Sequence, residues 1–233
     1  MQSIVIVPTY NERANLQELV DKIHQYAPEL HMLIVDDNSP DGTGILADEL
    51  HQKHPERIFV LHRDQKEGLG KAYVEGFRQV LKKDYECIMQ MDADLSHDPV
   101  HLPRFLEEIK SHDLVVGSRY LQGISVVNWD LKRLIMSKLA TNYVRFVTRM
   151  PFTDTTSGFK CWRREALEAI DFESAFSSGY IFLVEMKYKA FRKGFRVTEV
   201  PIIFVERKSG DSKLDWGVFC EAFFGVLRLR LKY

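Results

Sequence analysis

Apolar and polar positions divide the first half of the chain into short alternating runs. Ser3–Val7 is apolar and β-branched and is closed by Pro8, the pattern of a strand buried on both faces. Leu16, Leu19, Val20 and Ile23 then recur at helical spacing within residues 12–26. Further strands are predicted at His31–Val35, Ile58–Leu61, Cys87–Met91 and Leu114–Gly117. Helices are predicted at Gly44–His51, from about Lys71 to Leu81, and after Pro99, a residue that a first helical turn tolerates. This alternation implies an α/β fold, a mostly parallel Rossmann-like sheet with helices on both faces. After Arg119 the rhythm fails. Residues 131–150 read as a long helix, irregular stretches follow, and then come a helix near 180–193 and a strand over Val197–Val205. No repeat, low-complexity tract or linker interrupts the chain, so residues 1–233 are read as one domain. Residues 1–119 form one functional half and residues 120–233 the other.

Composition narrows the function. Lys plus Arg (32) nearly balance Asp plus Glu (33), whereas a nucleic-acid binder would carry a basic excess. Cys87, Cys161 and Cys220 are far apart and form no CxxC pair, which argues against a disulfide framework and a zinc ribbon and for a reducing compartment. The N-terminus lacks a basic leader region, and no run reaches the roughly 18 apolar residues of a spanning helix. Neither a signal peptide nor a transmembrane span is expected.

In an open parallel sheet, ligands bind at the carboxyl ends of the strands. Three predicted strands end there in polar clusters: Pro8-Thr9-Tyr10-Asn11-Glu12, Asp36-Asp37-Asn38-Ser39-Pro40-Asp41-Gly42 and Asp92-Ala93-Asp94. Tyr10 can stack on a base, and Glu12 and Asp37 can accept bonds from base or ribose. Asn11, Ser39 and Asp41 taken singly are better read as caps and turn formers. Three such ends on one edge favour a site. Asp92 and Asp94, one residue apart at a strand tip, suit Mg²⁺ or Mn²⁺ bridging to a diphosphate.

Rival motifs fail. In His97-Asp98-Pro99-Val100-His101, Pro99 interrupts the helix a zincin needs and Asp98 replaces its glutamate. Gly68-Leu69-Gly70 is followed by Tyr73 where a dinucleotide fingerprint needs glycine, and Gln65 and Ala72 spoil a P-loop.

Taken together the motifs resemble the family-2 inverting glycosyltransferases of GT-A type, and within them the dolichol- or polyprenyl-phosphate mannose synthases. The matching stretches are PTYNE (8–12), VDDNSPDGT (35–43), GLGKAY (68–73), MDADLSH (91–97), GSRY (117–120), NWDLKR (128–133), DTTSGF (154–159), EVPIIFVER (199–207) and GDSKL (210–214). The resemblance implies a sugar donor held by Pro8, Tyr10, Glu12, Val35, Asp37, Asp92, Ala93, Asp94, Arg119, Arg207 and Lys213. It implies Asp94 as the metal ligand, with Asp92 beside it and Ser96 where some members carry a second ligand, Gln. Arg119, Arg133 and Ser137 would hold the acceptor phosphate, and Asp94 and Arg119 would be catalytic.

The residue chemistry is consistent with these roles. A cation on Asp94 neutralises a leaving diphosphate, with Arg207 and Lys213 on a Gly- and Ser-containing loop as a lid. Arginine donates paired bonds to phosphate, and Arg133 and Ser137 lie one turn apart on one predicted helix. Without the resemblance, those two read equally as a solvated face. The implied reaction transfers mannose from GDP-mannose to polyprenyl or dolichyl phosphate with inversion and no dedicated base. A UDP-glucose-dependent transferase, a non-catalytic nucleotide-sugar-binding regulator and an NAD-dependent oxidoreductase are the competing classes.

The helix at 131–150 places Ile135, Met136, Leu139, Tyr143, Phe146 and Val147 on one sector, with Lys138, Arg145 and Arg149 opposite. That suits a helix lying in an anionic membrane interface, and equally one packed on a core. Residues 216–232 are broadly apolar with a narrow polar stripe, able to lie in the interface or dock on a partner's membrane helix. The expected location is peripheral, at the cytoplasmic face of a membrane. A membrane-anchoring subunit is a candidate partner.

Overall fold

The computed structural model describes residues 1–176, 179–206 and 216–233. The elements in chain order are β1 (Ser3–Thr9), α1 (Arg13–Tyr26), β2 (His31–Asp36), α2 (Thr43–Lys53), β3 (Ile58–His62), α3 (Leu69–Val80) and β4 (Cys87–Gln90). They continue with α4 (Leu102–Glu108), β5 (Leu114–Ser118), β6 (Val126–Val127), α5 (Leu131–Thr148), β7 (Lys160–Arg163) and α6 (Arg164–Ala169). The chain closes with α7 (Tyr180–Arg192), β8 (Val197–Pro201), β9 (Phe204–Val205) and α8 (Trp216–Lys232). Pro99 opens a short 3₁₀ turn ahead of α4, and the Asp98 carboxylate accepts the Val100 N–H at 3.0 Å.

The main sheet runs β3-β2-β1-β4-β7-β5-β8. Its pairings are parallel except for those of β7, which runs antiparallel to both β4 and β5. Period-2 alternation sorts its residues into two cores. Val5, Val7, Met32, Ile34, Met89 and Val115 face α1, α2 and α4, while Ile4, Ile6, Leu33, Val35, Ile88 and Val116 face α3 and α7. Fully burying each such side chain contributes about 1.5–3 kcal/mol, so a one-residue slip would forfeit both faces at once. Gly76 lets α3 lie close on this sheet, since a Cβ there would meet Ile6 Cγ2 at 2.8 Å. A third core, with Val144, Phe152, Ile181, Tyr188, Val226 and Leu229, joins α5, α7 and α8.

Two differences from the sequence expectation position the site. The run Val197–Val205 is not one strand: β8 follows β5 as far as Ser118↔Pro201, and β9 then pairs in parallel with β6 in a separate ribbon. The Ile202 amide closes the β5·β8 ladder on the Ser118 carbonyl, and the Phe204 amide then turns to the Ser125 carbonyl beyond β5. The second difference is β7, which lies in a stretch expected to be irregular. Because it runs antiparallel, its N-terminal loop (residues 154–159) arrives at the carboxyl ends of β4 and β5.

Candidate active site

β1 has β2 on one side and β4 on the other, so the three polar strand ends stand next to one another. At each end a non-glycine residue takes a left-handed backbone: Asn11 (φ 61°), Asn38 (φ 55°) and Leu95 (φ 61°). Asn tolerates that region, but leucine does not favour it, so the Asp92–Ser96 turn stores local strain. The first two loops are sewn together. Ser39 Oγ accepts the Asn11 N–H at 3.1 Å and donates to Asp36 Oδ1 at 2.6 Å. Asp41 accepts the Arg13 N–H at 3.2 Å and the Thr43 hydroxyl at 2.5 Å, while Thr43 Oγ1 accepts the Glu12 N–H at 3.0 Å. Ser39 and Asp41 are therefore turn formers. Asp37, Tyr10 and Glu12 remain at the lip, whereas Val35 is fully buried and can offer a ligand only its backbone.

Asp37 does not stand alone. Buried Arg63, just past β3, donates to its Oδ1 at 2.5 Å and to Glu67 at 3.0 Å. Burial pushes the Asp37 carboxyl upward, and the Arg63 charge and bond oppose that. The Lys66 ammonium lies 3.7 Å from the Tyr10 ring centroid, marking that face as able to receive a cation or a base.

Asp92, Ala93 and Asp94 follow β4. Loss of solvation pushes the Asp92 carboxyl above its ordinary range, and Asp94 beside it adds to the effect. Asp94 Oδ1 accepts the Ser96 N–H at 3.1 Å, while the Ser96 hydroxyl is buried with no partner. Among the described residues no group of three or more Asp, Glu, His or Cys side chains could close around a metal. Two carboxylates and an orphaned hydroxyl would instead suit a hard cation that draws its remaining oxygen ligands from outside the chain. Buried His97 braces this turn. Its Nδ1 accepts the Asp92 N–H at 3.2 Å, which puts the ring proton on Nε2, and the ring stacks on Phe159 at 5.1 Å.

Arg119 leaves the end of β5 and is held on every side. Asp154, carried to it by the loop before β7, accepts its Nε–H at 2.6 Å, an Nη2–H at 2.8 Å and its backbone N–H at 3.2 Å. Thr156 Oγ1 accepts a further bond at 2.7 Å. Burial alone would push the Asp154 carboxyl up, but the charge and bonds of Arg119 win and hold it well below the usual carboxylate range. Glu199 accepts the Thr153 and Asp154 N–H groups, and Lys187 Nζ donates to the Asp154 carbonyl at 3.0 Å. Burial lowers the Lys187 ammonium to about 7. The guanidinium carbon of Arg119 lies 5.3–5.5 Å from the ring centroids of Tyr120, Trp129 and Phe204.

α5 supplies the opposite wall. Asp130 caps it by accepting the Arg133 N–H at 2.6 Å. Ser137 Oγ accepts the Tyr120 hydroxyl at 2.7 Å, which ties the helix to the residue after Arg119. The inward side carries Thr141, Val144 and Thr148. Of the apolar sector expected from the sequence, Ile135, Met136, Leu139 and Phe146 face outward, Leu139 56% and Phe146 85% exposed, while Tyr143 and Val147 pack against the third core. On α8, Phe223, Phe224, Leu227 and Leu231 are also exposed, and Phe223 stacks on Tyr143 at 4.8 Å.

Comparison with known proteins decides what this arrangement belongs to. The sequence profile described as Glycosyl transferase family 2 matches residues 4–171. The chain belongs to glycosyl transferase family 2. Within reach of this family 2 chain, a polyprenol monophosphomannose synthase of Mycolicibacterium smegmatis is 46% identical over 97% of the chain and 85% of the relative. An undecaprenyl-phosphate mannosyltransferase of Micrococcus luteus is 43% identical over 98% of the chain and 93% of the relative. Among solved structures, glucosyl-3-phosphoglycerate synthase of Mycobacterium tuberculosis, in complex with Mn²⁺, UDP and glucosyl-3-phosphoglycerate, superposes with a TM-score of 0.71. It is 18% identical, over 99% of this chain and 79% of that one. A mannosyltransferase from Pyrobaculum calidifontis, in complex with GDP-Man and Mn²⁺, gives a TM-score of 0.63 at 18% identity, over 99% of this chain and 63% of that one. At such identity these two establish the GT-A fold alone.

Of the residues expected at the site, Pro8, Tyr10, Glu12, Val35, Asp37, Asp92, Ala93, Asp94 and Ser96 lie at or beside the carboxyl ends of the adjacent strands β2, β1 and β4. Arg119 lies at the end of β5 beyond β7, and Arg133 and Ser137 lie on α5. Arg207 and Lys213 lie outside the described residues. Sequence reasoning missed Asp154, Lys187, Glu199, Arg63 and His97, which brace these residues. Asp154, His97 and Glu199 stood within quoted motifs, yet their partners are set by the fold and not by neighbours in the chain.

Proposed function

We propose that this chain transfers mannose from GDP-mannose to polyprenyl or dolichyl phosphate, with inversion, at the cytoplasmic face of a membrane. The observation that carries the reading is the near-full-length likeness to two proteins named for mannosyl transfer involving a polyprenyl carrier. The geometry supports it. Glu12 and Asp37 offer carboxylate acceptors for the N–H and hydroxyl donors of guanosine, and Tyr10 offers a face for its base. Pro8, Val35 and Ala93 line the same edge through their backbone.

Asp94, with Asp92 and Ser96, would hold Mg²⁺ or Mn²⁺, which supplies positive charge to a departing diphosphate when bound. Arg207 and Lys213 are assigned to that diphosphate from the motif alone. Arg119, locked by Asp154 and three aromatic rings, keeps a fixed positive charge between donor and acceptor and has little to reorganise as charge develops. Arg133 and Ser137 orient the acceptor phosphate, already ionised near neutral pH, so no side chain need remove a proton. Attack in line on the anomeric carbon inverts it.

The outward apolar stripe of α5, joined to the exposed phenylalanines of α8, supports peripheral seating in a membrane interface. Among the described residues no helix is long and apolar enough to cross a membrane. The same stripe could dock a membrane-anchoring subunit. On this reading, residues 1–119 mainly serve the donor and residues 120–233 the acceptor.

A panel of radiolabelled sugar nucleotides incubated with polyprenyl phosphate, with and without EDTA, tests the proposal. Label from GDP-mannose should enter the organic phase and EDTA should abolish it. Preferred use of UDP-glucose would replace the mannosyl reading, and binding without lipid product would leave a nucleotide-sugar-binding protein.

A further inference from the structure

Arg133 is already engaged by an anion. Its Nη1 donates to Glu206 Oε1, and its guanidinium carbon lies 4.4 Å from the Trp129 ring centroid. Glu206 is not a chance surface neighbour, for its backbone N–H donates to the Val127 carbonyl at 3.1 Å. That bond extends the β6·β9 ribbon one residue past Val205, so a strand delivers the carboxylate to the helix. Arg119 lies 5.5 Å from the same Trp129 ring, and the Trp129 Nε1–H is buried with no acceptor. Two guanidinium groups and an orphaned indole donor thus share one wall, where buried Asp154 holds Arg119 and half-buried Glu206 holds Arg133.

We infer that Glu206 stands where the acceptor phosphate binds Arg133 and thereby sets acceptor selectivity. The inference rests on the acceptor-phosphate reading of Arg133. Binding is an exchange of anions: the incoming group takes the Arg133 donors and the Glu206 carboxylate is released to water. A phosphate monoester near neutral pH carries between one and two negative charges, about 1.5–2, and three acceptor oxygens, so it displaces a monoanionic carboxylate. A free polyprenol does not, and neither does a singly charged carboxylate lipid. Glu206 therefore filters the acceptor by charge before the chain length of the lipid is tested.

The test is steady-state kinetics at saturating GDP-mannose with polyprenyl phosphate varied in detergent micelles, for wild type, Glu206→Gln, Arg133→Ala and the double variant. Removing the competing carboxylate should lower the acceptor KM about three- to fivefold, the scale of a partly exposed ion pair. Inhibition by inorganic phosphate should strengthen in parallel, and GDP affinity by calorimetry should stay at the wild-type value. In the Arg133→Ala background Glu206→Gln should have no further effect, since the two act through one contact. If Glu206 serves only to hold Arg133 in place, Glu206→Gln raises the acceptor KM, and that result overturns the inference, as does an unchanged KM. A loss of GDP affinity in Glu206→Gln would move Glu206 to the donor side and likewise overturn it. Should Arg133→Ala itself leave the acceptor KM unaltered, the reading of Arg133 fails first, and the role of Glu206 goes with it.

Discussion

Asp92 and Asp94 stand at the end of a strand buried along its whole length, whereas Arg133 stands on a helix whose outer side is apolar and exposed. The carboxylates are placed by the sheet itself. Parallel pairing of β1 with β2 and β4 fixes where those strand ends fall, and local turns then aim the side chains. The wall we assign to the acceptor is placed by side chains acting across the fold: Tyr120 on Ser137, Glu206 on Arg133, Asp154 on Arg119. A site half set by backbone register and half by ion pairs should fail in two distinct ways when mutated. Donor-side changes should cost chemistry with the fold retained, while acceptor-side changes should cost either stability or acceptor affinity.

The largest expected effect falls on the buried pair. Asp154→Asn leaves the Arg119 charge buried without its counter-ion, which costs about 3–5 kcal/mol in denaturant unfolding. A loss below about 1 kcal/mol would mean that the aromatic rings alone hold Arg119, and the contrast between the two walls would collapse. Asp94→Asn should behave oppositely, reducing transfer about a hundred- to a thousandfold with unfolding midpoints close to wild type. Near-normal turnover with Mg²⁺ or Mn²⁺ would remove Asp94 from the chemistry.

A smaller effect separates Lys187 from ordinary surface lysines. Its folded value of about 7 lies below the ordinary 10.5, so between these limits the unfolded chain binds more protons. Stability should therefore rise with pH across that window, the penalty being greatest at and below neutrality. Between pH 7 and 9 the wild type should gain about 2 kcal/mol relative to Lys187→Met. Parallel pH profiles in the two proteins would show that the ammonium is not desolvated as its burial implies.

The smallest effect concerns the outer side of α5. Replacing Leu139 and Phe146 by serine should leave the unfolding midpoint within about 0.5 kcal/mol, because neither packs in the core. Binding to anionic vesicles should nevertheless weaken several-fold. Equal vesicle binding by the double variant would return this helix to the role of a plain scaffold.

What could be read from the sequence follows the same division. Strands buried on both faces announce themselves as apolar runs, so the order of β1 to β5 and the polar clusters at their ends were legible. β7 was not, because its four residues, Lys160-Cys161-Trp162-Arg163, begin and end on basic side chains. Lys160 is nevertheless fully buried, its Nζ bonded to the Leu183 carbonyl at 2.9 Å. Tertiary contacts overrode the local pattern. The helical periodicity of residues 131–150 was read correctly, but it fitted a core-facing and a membrane-facing helix equally. The exposure of Ile135, Met136, Leu139 and Phe146 shows that this part of the sector does not pack on the core. Asp154 and Glu206 lie 35 and 73 residues from the arginines they hold, and no local spacing reports a contact over such separations.

The antiparallel strand has a consequence for modularity. β7, drawn from beyond residue 159, is inserted between β4 and β5, both of which precede residue 119. A fragment ending at Arg119 would leave β5 without either neighbour, β7 or β8, and open a gap in the middle of the sheet. The stretches proposed to serve donor and acceptor are thus consecutive in the gene product yet interleaved in space. An exchange of acceptor specificity between relatives at that junction would transplant a central strand of the donor sheet along with the wall it was meant to replace.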